Sequence, residues 1–132
     1  MIPFNQIQDE AQKDLKFDIS TVEHYALQIV MLKEKYARYL QAYRMELKKR
    51  LFEQDKVYAD RHDYHMTQNP RARDRRDVDI FIKADPAYRK VSAETYIVEE
   101  QVRYIDSLIK SIDNMSFNIN SAIKLHIFKN GG

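Results

Sequence analysis

From Val22 to His65 the chain reads VEHYALQIVMLKEKYARYLQAYRMELKKRLFEQDKVYADRHDYH, without one Gly or Pro. Val22, Tyr25, Ile29, Leu32, Tyr36, Tyr39 and Tyr43 recur at alternating steps of three and four, the spacing of a heptad seam along one face of a helix. Leu47 and Leu51 follow at steps of four, so the stripe shifts as a stutter shifts it. A helix of about 44 residues is roughly 66 Å long. A compact domain of this size has a radius of gyration of only about 14 Å. The helix is therefore expected either to break or to project and find partners, and the second case implies oligomerisation.

The flanking segments read as helices too. Phe4, Ile7, Ala11 and Leu15 predict a short amphipathic helix over residues 3–16, with Pro3 suited to its start. Phe17-Asp18-Ile19 breaks that pattern, and Ser20-Thr21-Val22-Glu23 is a capping box for the next helix. Residues 67–77, carrying Arg71, Arg73, Arg75 and Arg76, form the one clear loop. The apolar run Val78, Ile80, Phe81, Ile82 fits helix or strand equally well, and Pro86 ends it. Ser92 is the expected cap of a last helix from Ala93 to Asn130. Along that helix run two adjacent seams: Val98, Val102, Ile105, Ile109, Ile112, Ile119 and Ile123, and beside them Tyr104, Leu108, Met115 and Ala122. Two seams ask for more than one neighbour. The expected fold is all-α: a short N-terminal helix, a long central helix, an Arg-rich loop and a long C-terminal helix forming the oligomer seam. Residues 1–132 are read as a single domain, basic over about 1–66 and self-associating over about 78–132.

Composition agrees with few, long helices. Only 2 Gly and 3 Pro occur in 132 residues, too few for the turns of an all-β protein. Apolar residues make up 44% and charged ones 32%, enough for a modest core and too apolar for a disordered tail. The absence of Cys excludes disulfide scaffolds, cysteine zinc sites and thiol nucleophiles. No apolar run approaches the roughly 20 residues of a membrane span, and Met1-Ile2-Pro3-Phe4-Asn5-Gln6 does not resemble a secretory leader. An intracellular, soluble protein without a membrane partner is expected.

The groups that could perform catalysis are sparse. His62 and His65 lie three apart and could share a helix face, yet no third ligand or H-E-x-x-H pattern accompanies them. His24 and His126 sit on apolar stripes, where partly buried histidines are ordinary. Two terminal glycines cannot build a phosphate loop, and no carboxylate pair stands out for acid–base work. Neither an enzyme nor a metal or other cofactor is expected.

Charge distribution says more than the net charge of +2. Lys33, Lys35, Arg38, Arg44, Lys48, Lys49 and Arg50 face only Glu34 and Glu46 within the same stretch, and Lys56, Arg61 and the arginines of the loop extend the basic run. At about 100° per residue Lys35, Arg38, Lys49 and Lys56 fall within about 60° of one another, opposite the apolar stripe, whereas Arg61 falls in line with it. Tyr36, Tyr39, Tyr43, Tyr58 and Tyr64 accompany these charges. Basic and aromatic groups together suit a single strand, whose phosphates they neutralise and whose bases they stack. The same residues also suit a solvated helix face and a packed seam, the reading of a coiled-coil scaffold or virion protein that binds no DNA.

The segment Tyr58-Ala59-Asp60-Arg61-His62-Asp63-Tyr64-His65 is similar to the K-x-R-x-D-Y-Y stretch of the UvsY-type recombination mediators of tailed bacteriophages. Ala84-Asp85 followed by Lys90-Val91, and a closing helix with Phe117-x-Ile119 and Phe128 before Gly131, continue the resemblance over nearly the whole chain. The resemblance implies a non-enzymatic protein of the infected host's cytoplasm that binds single-stranded DNA. It implies contact with a RecA-like phage recombinase and with the phage single-strand-binding protein, which the first is helped to replace. It further implies a homo-oligomeric ring, hexameric or heptameric, assembled through the C-terminal helix. Two departures stand out: the family's Lys before the motif Arg is Ala59 here, leaving Lys56 as the nearest substitute, and the linker after the motif is short and Arg-rich. The expected DNA-binding residues are Lys48, Lys49, Arg50, Lys56, Tyr58, Arg61, Tyr64, Arg71 and Arg73. The expected self-association residues are Val102, Ile105, Leu108, Ile109, Ile112 and Ile119.

Overall fold

The computed structural model describes residues 1–16 and 22–131, with side chains of the second segment from Gln28 onward. Four α-helices follow one another: α1 (Phe4–Asp14), α2 (Val22–Thr67), α3 (Arg75–Ala84) and α4 (Pro86–Lys129). No strand occurs among the described residues. The capping box at residues 20–23 and the side chain of His24 lie outside what is described. The central helix does not break: α2 runs for 46 residues.

The open question of Val78–Ile82 resolves as helix. Val78 and Ile82, four apart, are both buried on α3. The loop is shorter than the expected 67–77, because the Asp74 side chain accepts the Asp77 N–H at 2.9 Å and caps α3 one residue before Arg75. The last helix likewise begins earlier than Ala93. Asp85 is extended (φ −70°, ψ 128°), as a residue before proline prefers, and Pro86 then occupies the first helical position. The Asp85 carboxylate accepts the Ala87 N–H at 2.9 Å, so Asp85 closes α3 and opens α4, and Ser92 is an interior residue of α4. Past α4, Gly131 takes φ 71°, the left-handed conformation that a helix-terminating glycine adopts without strain.

The chain forms two compact units: Met1–Ala42 with Gln101–Gly132, and Tyr43–Glu100. Neither coincides with the expected parts 1–66 and 78–132, since α2 and α4 each contribute to both. In the first unit Ile7 and Ala11 of α1, Ile29, Tyr36 and Leu40 of α2, and Ile105, Leu108, Ile112, Met115 and Ile119 of α4 are buried. Tyr36 is fully buried and donates to Asp14 at 2.9 Å, and burial together with that bond pushes its hydroxyl pKa well up. Lys35 bridges Asp14 and Glu10, and Tyr39 donates to Glu10 at 2.7 Å. This polar set ties α1 to α2.

Most residues of the expected oligomer seam are buried within the first unit. Ile105, Leu108, Ile112 and Ile119 are covered inside a single chain, while Val102 and Ile109 are half-buried. The second seam is partly covered too: Leu108 and Met115 are buried, and the Phe4 ring meets Tyr104 edge-on at 5.2 Å. The physical reason is that α1 supplies the second neighbour that two seams require. Further along α4 the apolar side chains of Phe117, Leu125, Ile127 and Phe128 are in solvent, as those of Tyr96 and Ile97 are before the seam.

Candidate nucleic-acid interface

The second unit carries every residue expected to touch DNA, and α2 sorts them onto opposite sides. One side faces α3 and α4. There Arg50 pairs with Glu46 at 3.2 Å and with Glu94 at 2.9 Å. Gln54 donates to the Tyr88 hydroxyl, and Tyr58 donates to Asp79 at 2.9 Å while its ring stands edge-on to Tyr88. That bond, then partial burial, raises the Tyr58 pKa. The bonds from Lys83 and Tyr58 hold Asp79 below the usual carboxylate range.

One turn on, Arg61 donates from Nε to the buried carboxylate of Asp85 at 2.5 Å, and its guanidinium lies 4.2 Å from the centre of the Tyr64 ring. His65 reaches the same Asp85 oxygen at 3.1 Å and stacks on Phe81. Burial disfavours the charged form of Asp85, but the Arg61 bond, the Ala87 N–H and His65 outweigh it and lower its pKa. Across the turn after α2, Asn69 Oδ1 accepts the Arg71 N–H at 3.0 Å, which turns its amide nitrogen toward His65 Nδ1 at 3.0 Å. A backbone N–H can only donate, so this fixes the Asn69 orientation. His65 Nδ1 therefore accepts, and its Nε2–H faces Asp85. Sequence reasoning missed the Arg61–Asp85–His65–Asn69 chain. Its one visible signal was the Asp85-Pro86 pair, which marks a helix boundary that a carboxylate can cap on one side.

The other side of α2 is open to solvent. Lys48, Lys49 and Lys56 are exposed there, and so are Met45 and Phe52. Arg71 and Arg73 are exposed on the turn at residues 68–74. The structure thus brings Lys48, Lys49 and Lys56 together on one face. Arg50, Tyr58 and Arg61 instead lie on the other face and are engaged with carboxylates, and Tyr64 carries Arg61 on its ring. The cause is register. Arg61 lies nine residues beyond Phe52, two and a half turns, and so points the opposite way.

Among the described residues no group of three or more His, Asp or Glu is placed to hold a metal ion. Among the described residues no helix is long and apolar enough to cross a membrane. No curated protein matches the chain in sequence. A family model described as recombination, repair and ssDNA binding protein UvsY matches residues 10–132.

The chain belongs to the UvsY family.

Its fold is similar to crystal structures of the bacteriophage T4 recombination mediator protein UvsY. The lattice type II structure superposes with a TM-score of 0.86 at 16% identity, covering 98% of this chain and 99% of that one. Lattice type IV gives 0.83 at 17% identity over 97% and 99%, and lattice type III gives 0.74 at 17% over 98% and 99%. At that identity the likeness shows the fold.

Proposed function

We propose that this UvsY-family chain is a phage recombination mediator. It binds single-stranded DNA and promotes loading of a RecA-like recombinase in place of the single-strand-binding protein, in the cytoplasm of the infected bacterial host. It works without a cofactor and catalyses no reaction itself. The observation that carries this reading is the family match over residues 10–132. The exposed row of Lys48, Lys49 and Lys56 supports it locally, because helical lysines on one face supply the sequence-independent phosphate contacts that a mediator needs. Arg71 and Arg73, exposed on the turn after α2, add further positive charge. Arg61 stands apart, with a role in holding α2 to the α3–α4 junction.

A monomer of net charge +2 binds DNA weakly, and a ring of six or seven copies multiplies the patch by avidity. Self-association falls to the exposed part of α4, at Phe117, Leu125, Ile127 and Phe128, because most of the seam further up is covered within the chain. The test is DNA-dependent ATP hydrolysis by the phage recombinase on strands precoated with the phage single-strand-binding protein. Addition of the chain should shorten the lag before hydrolysis. A lag unchanged at saturating chain would leave an oligomeric helical scaffold or virion protein as the better reading.

A further inference from the structure

Phe52 is 74% exposed in the middle of α2, an unusual place for a phenylalanine. Its helical neighbours at i−4, i−3 and i+4 are Lys48, Lys49 and Lys56, all exposed and all within about 60° of the ring around the helix axis. Asp55 lies on that face beside the ring and Asp63 about three turns further on, so the immediate surroundings of the ring stay net positive. Lys49 and Lys56 are separated by about 10 Å along the axis, with Phe52 between them. The two tyrosines expected to stack bases are less free. Tyr58 is tied to Asp79 and meets Tyr88, and one face of Tyr64 is covered by Arg61.

We propose that Phe52 is the base-stacking residue of a single-strand site whose phosphates are held by Lys48, Lys49 and Lys56. The inference rests on the DNA-binding reading above and adds the contact to the bases. An aromatic ring among cations fits a strand with unpaired bases and not a duplex, whose base faces are buried in the stack. The charge of the patch selects a polyanion over the apolar flank of a second copy, which three lysines would disfavour.

The experiment compares an oligo-dT with an abasic oligonucleotide of equal length, which carries the same phosphates and no bases. Wild type should bind oligo-dT more tightly. Phe52→Leu should lose about tenfold in affinity for oligo-dT, with binding to the abasic strand, salt dependence and mass in solution unchanged. Phe52→Trp should restore affinity. The chain has no other Trp, so the new indole reports directly, and its emission should be quenched by oligo-dT and not by the abasic strand. A Phe52→Leu protein that binds oligo-dT as wild type does would overturn the assignment. So would a fall in its mass, which would give the face to a second copy. Failure of wild type to bind either strand would remove the mediator reading itself, an outcome distinct from these.

Discussion

Arg61 and Asp85 form a part-buried ion pair that joins α2 to the junction between α3 and α4. Asp85 exposes only 6% of its side chain, and it also accepts from the Ala87 N–H and from His65. Asp85 therefore caps one helix and anchors another, and Arg61 keeps its charge tolerable in that position. The arginine of the family-like motif is thus engaged with a carboxylate of its own chain.

Truncating it should show this. Arg61→Ala leaves a buried carboxylate short of its main partner, and breaking such a pair costs about 3 kcal/mol where burial is complete. Arg61 keeps 31% of its side chain in solvent, so about 2 kcal/mol is expected. Urea unfolding measures it. Unchanged stability with weakened DNA binding would return Arg61 to the interface.

Acid should act through the same pair. The folded-state pKa of Asp85 is lowered relative to its unfolded value. Its contribution to stability is thus complete above the unfolded pKa of about 3.9 and is lost as pH falls through the lower folded value. Asp85→Asn should be less stable than wild type at neutral pH, and the difference should shrink below about pH 4. A pH-independent difference between the two proteins would contradict the assignment.

Stability and assembly should separate along α4. Ile112 is fully buried within the chain, so Ile112→Ala should cost about 2–4 kcal/mol in unfolding free energy. Phe128 is 79% exposed, and Phe128→Asp should leave thermal unfolding of a dilute chain nearly unchanged while lowering the mass seen in sedimentation. A mass reduced by Ile112→Ala at temperatures where the chain stays folded would restore the upper seam to the interface.

The all-helical fold was legible because Gly and Pro are scarce and the apolar spacing is regular over long runs. Boundaries were less so. Ser92 resembles a cap as much as Asp85 does, and only the paired geometry of Asp85 and Pro86 distinguishes them. Run length could not decide Val78–Ile82, since a four-residue apolar repeat serves a short helix or a buried strand. Burial of Ile105, Leu108, Ile112 and Ile119 within the chain was not legible, because spacing along α4 alone does not show that α1 packs on it. The basic site was half legible. Helical angles already set Lys49 and Lys56 apart from Arg61, but a list of charges does not show which cations carboxylates from distant elements engage. Phe52 escaped notice because spacing singles out aromatics on a seam, and Phe52 lies off it.

The central claim, that the lysine face of α2 meets the phosphates, is tested most directly by the salt dependence of single-strand binding. Anisotropy of a labelled oligonucleotide would be titrated with wild type, with a Lys48→Ala, Lys49→Ala, Lys56→Ala triple variant, and with Arg61→Ala. At roughly 0.7 per phosphate contact, the slope of log affinity against log salt should be shallower by about 2 per chain in the triple variant. Arg61→Ala should keep the wild-type slope under conditions where it is folded. A triple variant with the wild-type slope, or an Arg61→Ala protein that alone flattens it, would contradict the account.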